Sequence, residues 1–99
     1  MARFDLYARP GGTGYLLDVQ GDVLSQLNTR IVVPLLPEEE APLPAKRLNP
    51  VFEIGSLPHV MVTQFMAAVP LSLVRNPVTN LSDHDAQIMA ALDMILVGF

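Results

Sequence analysis

Apolar and polar residues alternate along Phe4-Asp5-Leu6-Tyr7-Ala8, the period of a strand with one buried face. Tyr15-Leu16-Leu17-Asp18-Val19-Gln20 reads as a second strand. The intervening Arg9-Pro10-Gly11-Gly12-Thr13-Gly14 is a turn-rich loop, so the two segments predict a hairpin. The β-branched run Arg30-Ile31-Val32-Val33-Pro34-Leu35 predicts a buried strand. Pro34 cannot donate to a ladder, which predicts an edge or a strand end there. Pro50–Ile54 and His59–Gln64 flank Gly55-Ser56-Leu57-Pro58, a second hairpin with a four-residue connection. Leu71–Val74 reads as a last short strand.

The pattern changes after Leu81. Ser82 suits an N-cap with Asp85 at the third helical position, and Asp83 and Asp85 suit the positive end of the helix dipole. Ile88, Met89, Leu92, Ile95, Leu96 and Phe99 recur at helical spacing as a core-facing stripe. The opposite side carries Ala86, Ala90, Met94 and Val97, broken by Gln87 and Asp93. A helix apolar nearly all round needs cover on two sides. The domain's own sheet covers one. A second copy of the chain most simply covers the other, which predicts a homodimer with Ala90, Met94 and Val97 at the interface.

Ninety-nine residues predict a single domain over 1–99. Hydrophobic residues make up 51% and charged residues 16%, which adds to the expectation of a partner-facing apolar surface. No cysteine is present, so disulfides and thiolate zinc sites are excluded. The net charge of −4 argues against direct binding of nucleic acid through its phosphates. No apolar run approaches the roughly 18 residues of a membrane span. Asp5 stands where a signal peptide needs an apolar core, and the chain is expected to be cytoplasmic. Leu36–Arg47, with three prolines and three adjacent glutamates, predicts a solvated loop.

No catalytic constellation stands out. Any nucleophile would be Ser or Thr with His59 or His84 as base, but no nucleophile elbow is present, and both histidines are expected to be exposed. Asp83, His84 and Asp85 are adjacent on a helix and point in different directions, so no metal site is expected. Gly11-Gly12-Thr13-Gly14 lacks the Lys-Ser/Thr and following helix of a phosphate loop. The residues describe a small acidic β-plus-helix protein that acts by binding, with no cofactor and no catalysis of its own.

Four segments in order resemble the CcdB toxins. Leu17-Asp18-Val19-Gln20-Gly21-Asp22-Val23-Leu24 is similar to their D-V-Q-S-D signature, and Thr29–Leu35 to their R-x-V-I-P-L strand. Met61–Pro70 resembles their M-T-T-x-M-x-S-V-P segment, and Leu81-Ser82 with the terminal Gly98-Phe99 resembles their helix start and end. The resemblance implies a mainly β fold with a C-terminal helix, an SH3-like barrel shared with MazF toxins, assembled as a homodimer. It implies a toxin that binds the A subunit of DNA gyrase and traps the cleaved DNA complex. A CcdA-like antitoxin would neutralise it and, together with it, repress the operon, making the DNA contacts itself.

The family's gyrase contact centres on a terminal Trp-Gly-Ile, whose indoles meet a gyrase arginine. Those positions here are Val97, Gly98 and Phe99, with supporting contacts implied at Asp93, Val23 and Leu24. Antitoxin contacts are implied at Arg9, Gly11, Gly12, Lys46 and Arg47. Two alternatives stay open: a relative without gyrase action that serves as an antitoxin sink, and a MazF-like endoribonuclease. The latter would need a basic RNA groove.

Overall fold

The computed structural model describes residues 2–98. Strand β1 (Asp5–Ala8) pairs antiparallel with β2 (Tyr15–Asp18), as the alternation predicts. The long strand β3 (Thr29–Pro37) follows, then β4 (Val51–Ile54), β5 (Leu57–Met61), β6 (Ala67–Pro70) and β7 (Thr79–Asn80). Helix α1 (Asp85–Leu96) ends the described chain. The strands form an antiparallel half-barrel in the order β4-β5-β3-β2-β1-β7, with β6 also on β3.

Period-two alternation sorts the side chains. Leu6, Leu17, Val33 and Leu35 face the main core with Phe4, Phe52 and Met61. Their neighbours Tyr7, Leu16 and Val32 face the other way and enclose Val74. Helix α1 closes the main core through Ile88, Ala91 and Leu92. The predicted stripe holds at Ile88 and Leu92, and Met89 and Ile95 are half-buried. Leu96, the last residue of the helix, departs from it at 70% exposed, while Ala91 takes the inward place. Phe99 lies outside the described residues.

Several expectations are corrected. Pro34 is neither at an edge nor at a strand end: it sits mid-strand opposite Leu16 of β2. On the other side β6 pairs with Thr29–Val32 and β5 with Leu35–Pro37, so Pro34 falls in the gap. Its carbonyl accepts from the Val62 amide at 2.9 Å in that gap. The amide and carbonyl of one strand residue face the same neighbour, so the missing N–H removes no β2 bond. The β4–β5 connection is two residues, not four. Gly55 and Ser56 both have positive φ, 61° and 70°, as a type I′ turn requires.

Leu71–Val74 is not a strand. A 3₁₀ turn over Leu71–Leu73 follows Pro70 and delivers Val74 into the second core. The strand is instead Ala67–Pro70, whose composition gives little strand signal and whose pairing with β3 defines it. The solvated loop begins late: β3 continues to Pro37, Glu38–Glu40 form a 3₁₀ turn, and 42–47 are exposed. Ser82 does not cap the helix. A 3₁₀ turn over Ser82–His84 precedes α1, and the Asn80 carboxamide oxygen accepts the Ser82 amide at 2.8 Å. His59 is buried at 5% exposure, paired across strands with Phe52 and Pro37. His84 is exposed, as expected, with its ring 5.0 Å from that of Phe52.

Candidate functional site

The chain between β2 and β3 builds one exposed apolar turn. Asp22–Leu24 form a 3₁₀ turn that holds Val23 at 91% exposure, with Leu24 and Leu27 also exposed. Such exposure needs a scaffold, and polar groups beneath supply it. The Gln20 carboxamide donates to the Leu24 carbonyl at 3.0 Å and accepts the Ile31 amide at 3.1 Å. Asp18 accepts the Gln20 amide at 3.1 Å and two bonds from Arg30. The signature Asp-Val-Gln is therefore structural: its two polar residues carry the turn that presents Val23.

Arg3 ties this turn to the helix. Its amide donates to the Asp22 carboxylate at 2.9 Å, and its guanidinium reaches the Met89 sulfur at 3.0 Å. Phe4, beside it, has φ 70°, a left-handed conformation costly for a side chain this large. Its amide bonds the Asp18 carbonyl and its carbonyl accepts from Leu81, which fix that conformation. Residues four apart share a helix face, so Met89, Asp93 and Val97 form one line. The Arg3 bridge sets the Val23 turn on that side of α1.

The helix end is defined by Gly98. Its φ of 96° favours glycine, and its amide bonds the carbonyls of Asp93 and Met94, each at 3.1 Å. Val97, at the C-cap, is 61% exposed, and Asp93 is exposed. Ala90 and Met94 are half-buried on the adjoining face.

The residues implied for antitoxin lie elsewhere. Arg9 is half-buried and Gly11 and Gly12 are exposed at the β1–β2 hairpin tip, where the Arg9 guanidinium bonds the Thr13 carbonyl at 3.0 Å. Gly14 has φ 88°, and a Cβ there would meet the Leu35 carbonyl oxygen, so the tip closes only with glycine. The Thr13 hydroxyl donates to the Glu40 carboxylate at 2.7 Å, fastening the tip to the turn that starts the next loop. Lys46 and Arg47 are exposed in that loop. Its far end is held by Asn49, which donates to the Met61 carbonyl and the Gln64 side chain.

Sequence reasoning missed Arg3, Asp18, Gln20 and Arg30 as the frame of the site. The available signal was a polar residue at an inward strand position: Asp18 of β2, opposite Val32, and Arg30 of β3 pair diagonally across the two strands and are fully buried. Among the described residues no helix is long and apolar enough to cross a membrane. Residues 3–98 match a family model described as CcdB protein. The chain belongs to the CcdB family, whose members are toxins of toxin–antitoxin systems that act on DNA gyrase.

Proposed function

We propose that this protein, acting as one domain over residues 1–99, binds the A subunit of DNA gyrase. It traps the gyrase–DNA cleavage complex, so religation fails and double-strand breaks persist. The observation that carries this reading is the exposure of Val23 and Val97 on two elements braced to each other through Arg3. A rigid apolar surface lowers the ordering cost of binding a partner. Leu24, Asp93, Gly98 and Phe99 complete the gyrase surface. Two copies meet through Ala90, Met94 and Val97. A CcdA-like antitoxin binds Arg9, Gly11, Gly12, Lys46 and Arg47, neutralises the toxin and joins it in repressing the operon. All of this takes place in the cytoplasm, without catalysis by the toxin itself.

The test is a gyrase cleavage assay with purified protein, supercoiled plasmid and ATP. Linear DNA should accumulate with the full chain and not after deletion of residues 97–99, with the truncated chain still folded. A second reading has one observation in its favour: Val97 offers no π face where the family has tryptophan. A chain that binds antitoxin yet leaves gyrase untouched in this assay would be the antitoxin sink.

A further inference from the structure

A cleft of about 430 Å³ opens between the β1–β2 tip, the Glu38–Glu40 turn and the β4–β5 turn. Its polar side chains are Thr13, Glu39, Glu40, Tyr15 and His59, and among the described residues no lysine or arginine lines it. Glu40 is held in place, since both its carboxylate oxygens lie within 2.7 Å of the Thr13 hydroxyl. His59 is 95% buried by its 5% exposure, and its Nδ1 lies 2.9 Å from the Leu57 carbonyl oxygen. An imidazole nitrogen facing a carbonyl donates, and in that Nδ1–H tautomer Nε2 is an acceptor. Among the described residues Nε2 has no hydrogen-bond partner. The Tyr15 ring packs edge-on against the imidazole at 5.1 Å, and Leu57 adds an exposed apolar wall.

Two carboxylates, a free imidazole acceptor, an aromatic ring and an aliphatic wall match one kind of group. It carries several N–H donors, a positive charge and an apolar stem. Guanidinium fits better than ammonium, because its planar fork can meet carboxylates and lie on an aromatic ring together. We propose that this cleft receives an arginine side chain, flanked by an aliphatic residue, from the antitoxin segment. This rests on the antitoxin reading above and deepens it. The expected partner is bipolar, with acidic residues for Lys46 and Arg47 and an arginine for the cleft. Another cleft, about 270 Å³, has the opposite character. Tyr7, Ser72, Arg75 and Asn76 line it with donors, so it serves as an internal control.

The test is a titration of isotopically labelled protein with N-acetyl-arginyl-leucinamide, followed by amide chemical shifts. Its citrulline counterpart, equal in shape but uncharged, runs in parallel. Shifts are expected at Thr13–Tyr15, Glu39–Glu40 and Gly55–His59 and not at Ser72–Asn76. Citrulline and the Glu39→Gln/Glu40→Gln protein should each weaken binding about tenfold, as loss of a charge-assisted bond implies. Equal binding of the citrulline peptide, or shifts confined to Ser72–Asn76, would overturn the proposal. The same double variant should then bind the antitoxin encoded beside it about tenfold more weakly than wild type. Unchanged antitoxin affinity would place the arginine elsewhere. An antitoxin that fails to bind even the wild-type protein would refute the antitoxin reading, while the peptide titration still decides the chemistry of the cleft.

Discussion

Arg30 grips Asp18 with two parallel hydrogen bonds, Nε to Oδ2 at 2.8 Å and Nη2 to Oδ1 at 2.9 Å, with both side chains fully buried. The third guanidinium nitrogen, Nη1, is buried without a partner among the described residues. The pair joins β2 to β3 at the point where the chain leaves for the Val23 turn. Removing one member leaves a buried charge alone, which costs about 3–5 kcal/mol, whereas replacing both by apolar residues is often near neutral. Asp18→Leu should therefore unfold at far lower denaturant than wild type. Asp18→Leu/Arg30→Met should recover most of the loss. Equal losses in the single and double variants, measured by urea titration, would mean that the pair does not compensate its own burial.

Gln20 links stability to the site. Gln20→Ala removes the bonds to Leu24 and Ile31 and leaves a part-buried amide unpaired, a cost of about 1–3 kcal/mol. The Val23 turn then loses its main support. Calorimetric titration against the gyrase A-subunit fragment, at a temperature where the variant is fully folded, should show weaker binding. Unchanged affinity would mean that gyrase does not read the shape of this turn.

Much of this molecule is written in local pattern. The β1–β2 hairpin, the β-branched run of β3 and the terminal helix follow from periodicity because each buries one face or stripe against the main core. The misreadings share a cause. Pro34 looks like a strand end because the rule counts a lost donor, yet the half-barrel leaves a gap between β5 and β6 where no donor is needed. His59 looks exposed beside Pro58, yet two strands pair on either side of it. Ala67–Pro70 becomes a strand only because β3 is there to pair with it. For the site, resemblance supplied candidate positions at Val23 and Val97. The braces beneath them run from Arg3 to Asp22 and Met89, sequence separations of 19 and 86, which no local pattern encodes.

The half-buried face of α1 gives a test of assembly. Met94→Asp would place a second carboxylate beside Asp93 on the surface proposed to meet another copy. An unpaired charge buried there is strongly disfavoured. The dimer dissociation constant should rise at least about tenfold. Sedimentation showing an unchanged dimer at micromolar concentration would mean that this face is open to solvent.

Tyr7 makes stability depend on alkaline pH. Burial pushes its phenol from 10.0 up to about 12, with the Asp5 and Asp18 carboxylates adding to the rise and Arg30 opposing it. The folded state thus favours the neutral phenol. Its contribution is complete below the unfolded value near 10.0 and is lost as pH climbs through about 12. Urea midpoints should fall across that window, and Tyr7→Phe should fall less steeply than wild type. Parallel loss in both proteins would assign the alkaline transition to other groups.

Val97 offers the sharpest test of the gyrase surface. At 61% exposure on the helix C-cap, it has room for a larger side chain without disturbing the core. The family resemblance places an indole at this position against a gyrase arginine. A guanidinium on an aromatic face adds roughly 0.5–2 kcal/mol, and tryptophan is prominent among interface hot spots. Valine retains an apolar contact but lacks the π face. Val97→Trp should therefore tighten binding to the gyrase A-subunit fragment by about tenfold, the equivalent of 1.4 kcal/mol. The competing view is co-adaptation, in which the host enzyme has narrowed its pocket around valine. Calorimetry against two enzymes separates the views: the host's gyrase, and that of a bacterium whose own toxin carries tryptophan. Tighter binding to both supports a missing indole. Weaker binding to the host enzyme alone supports co-adaptation. Weaker binding to both means that Val97 does not occupy the place of the family's tryptophan in the complex.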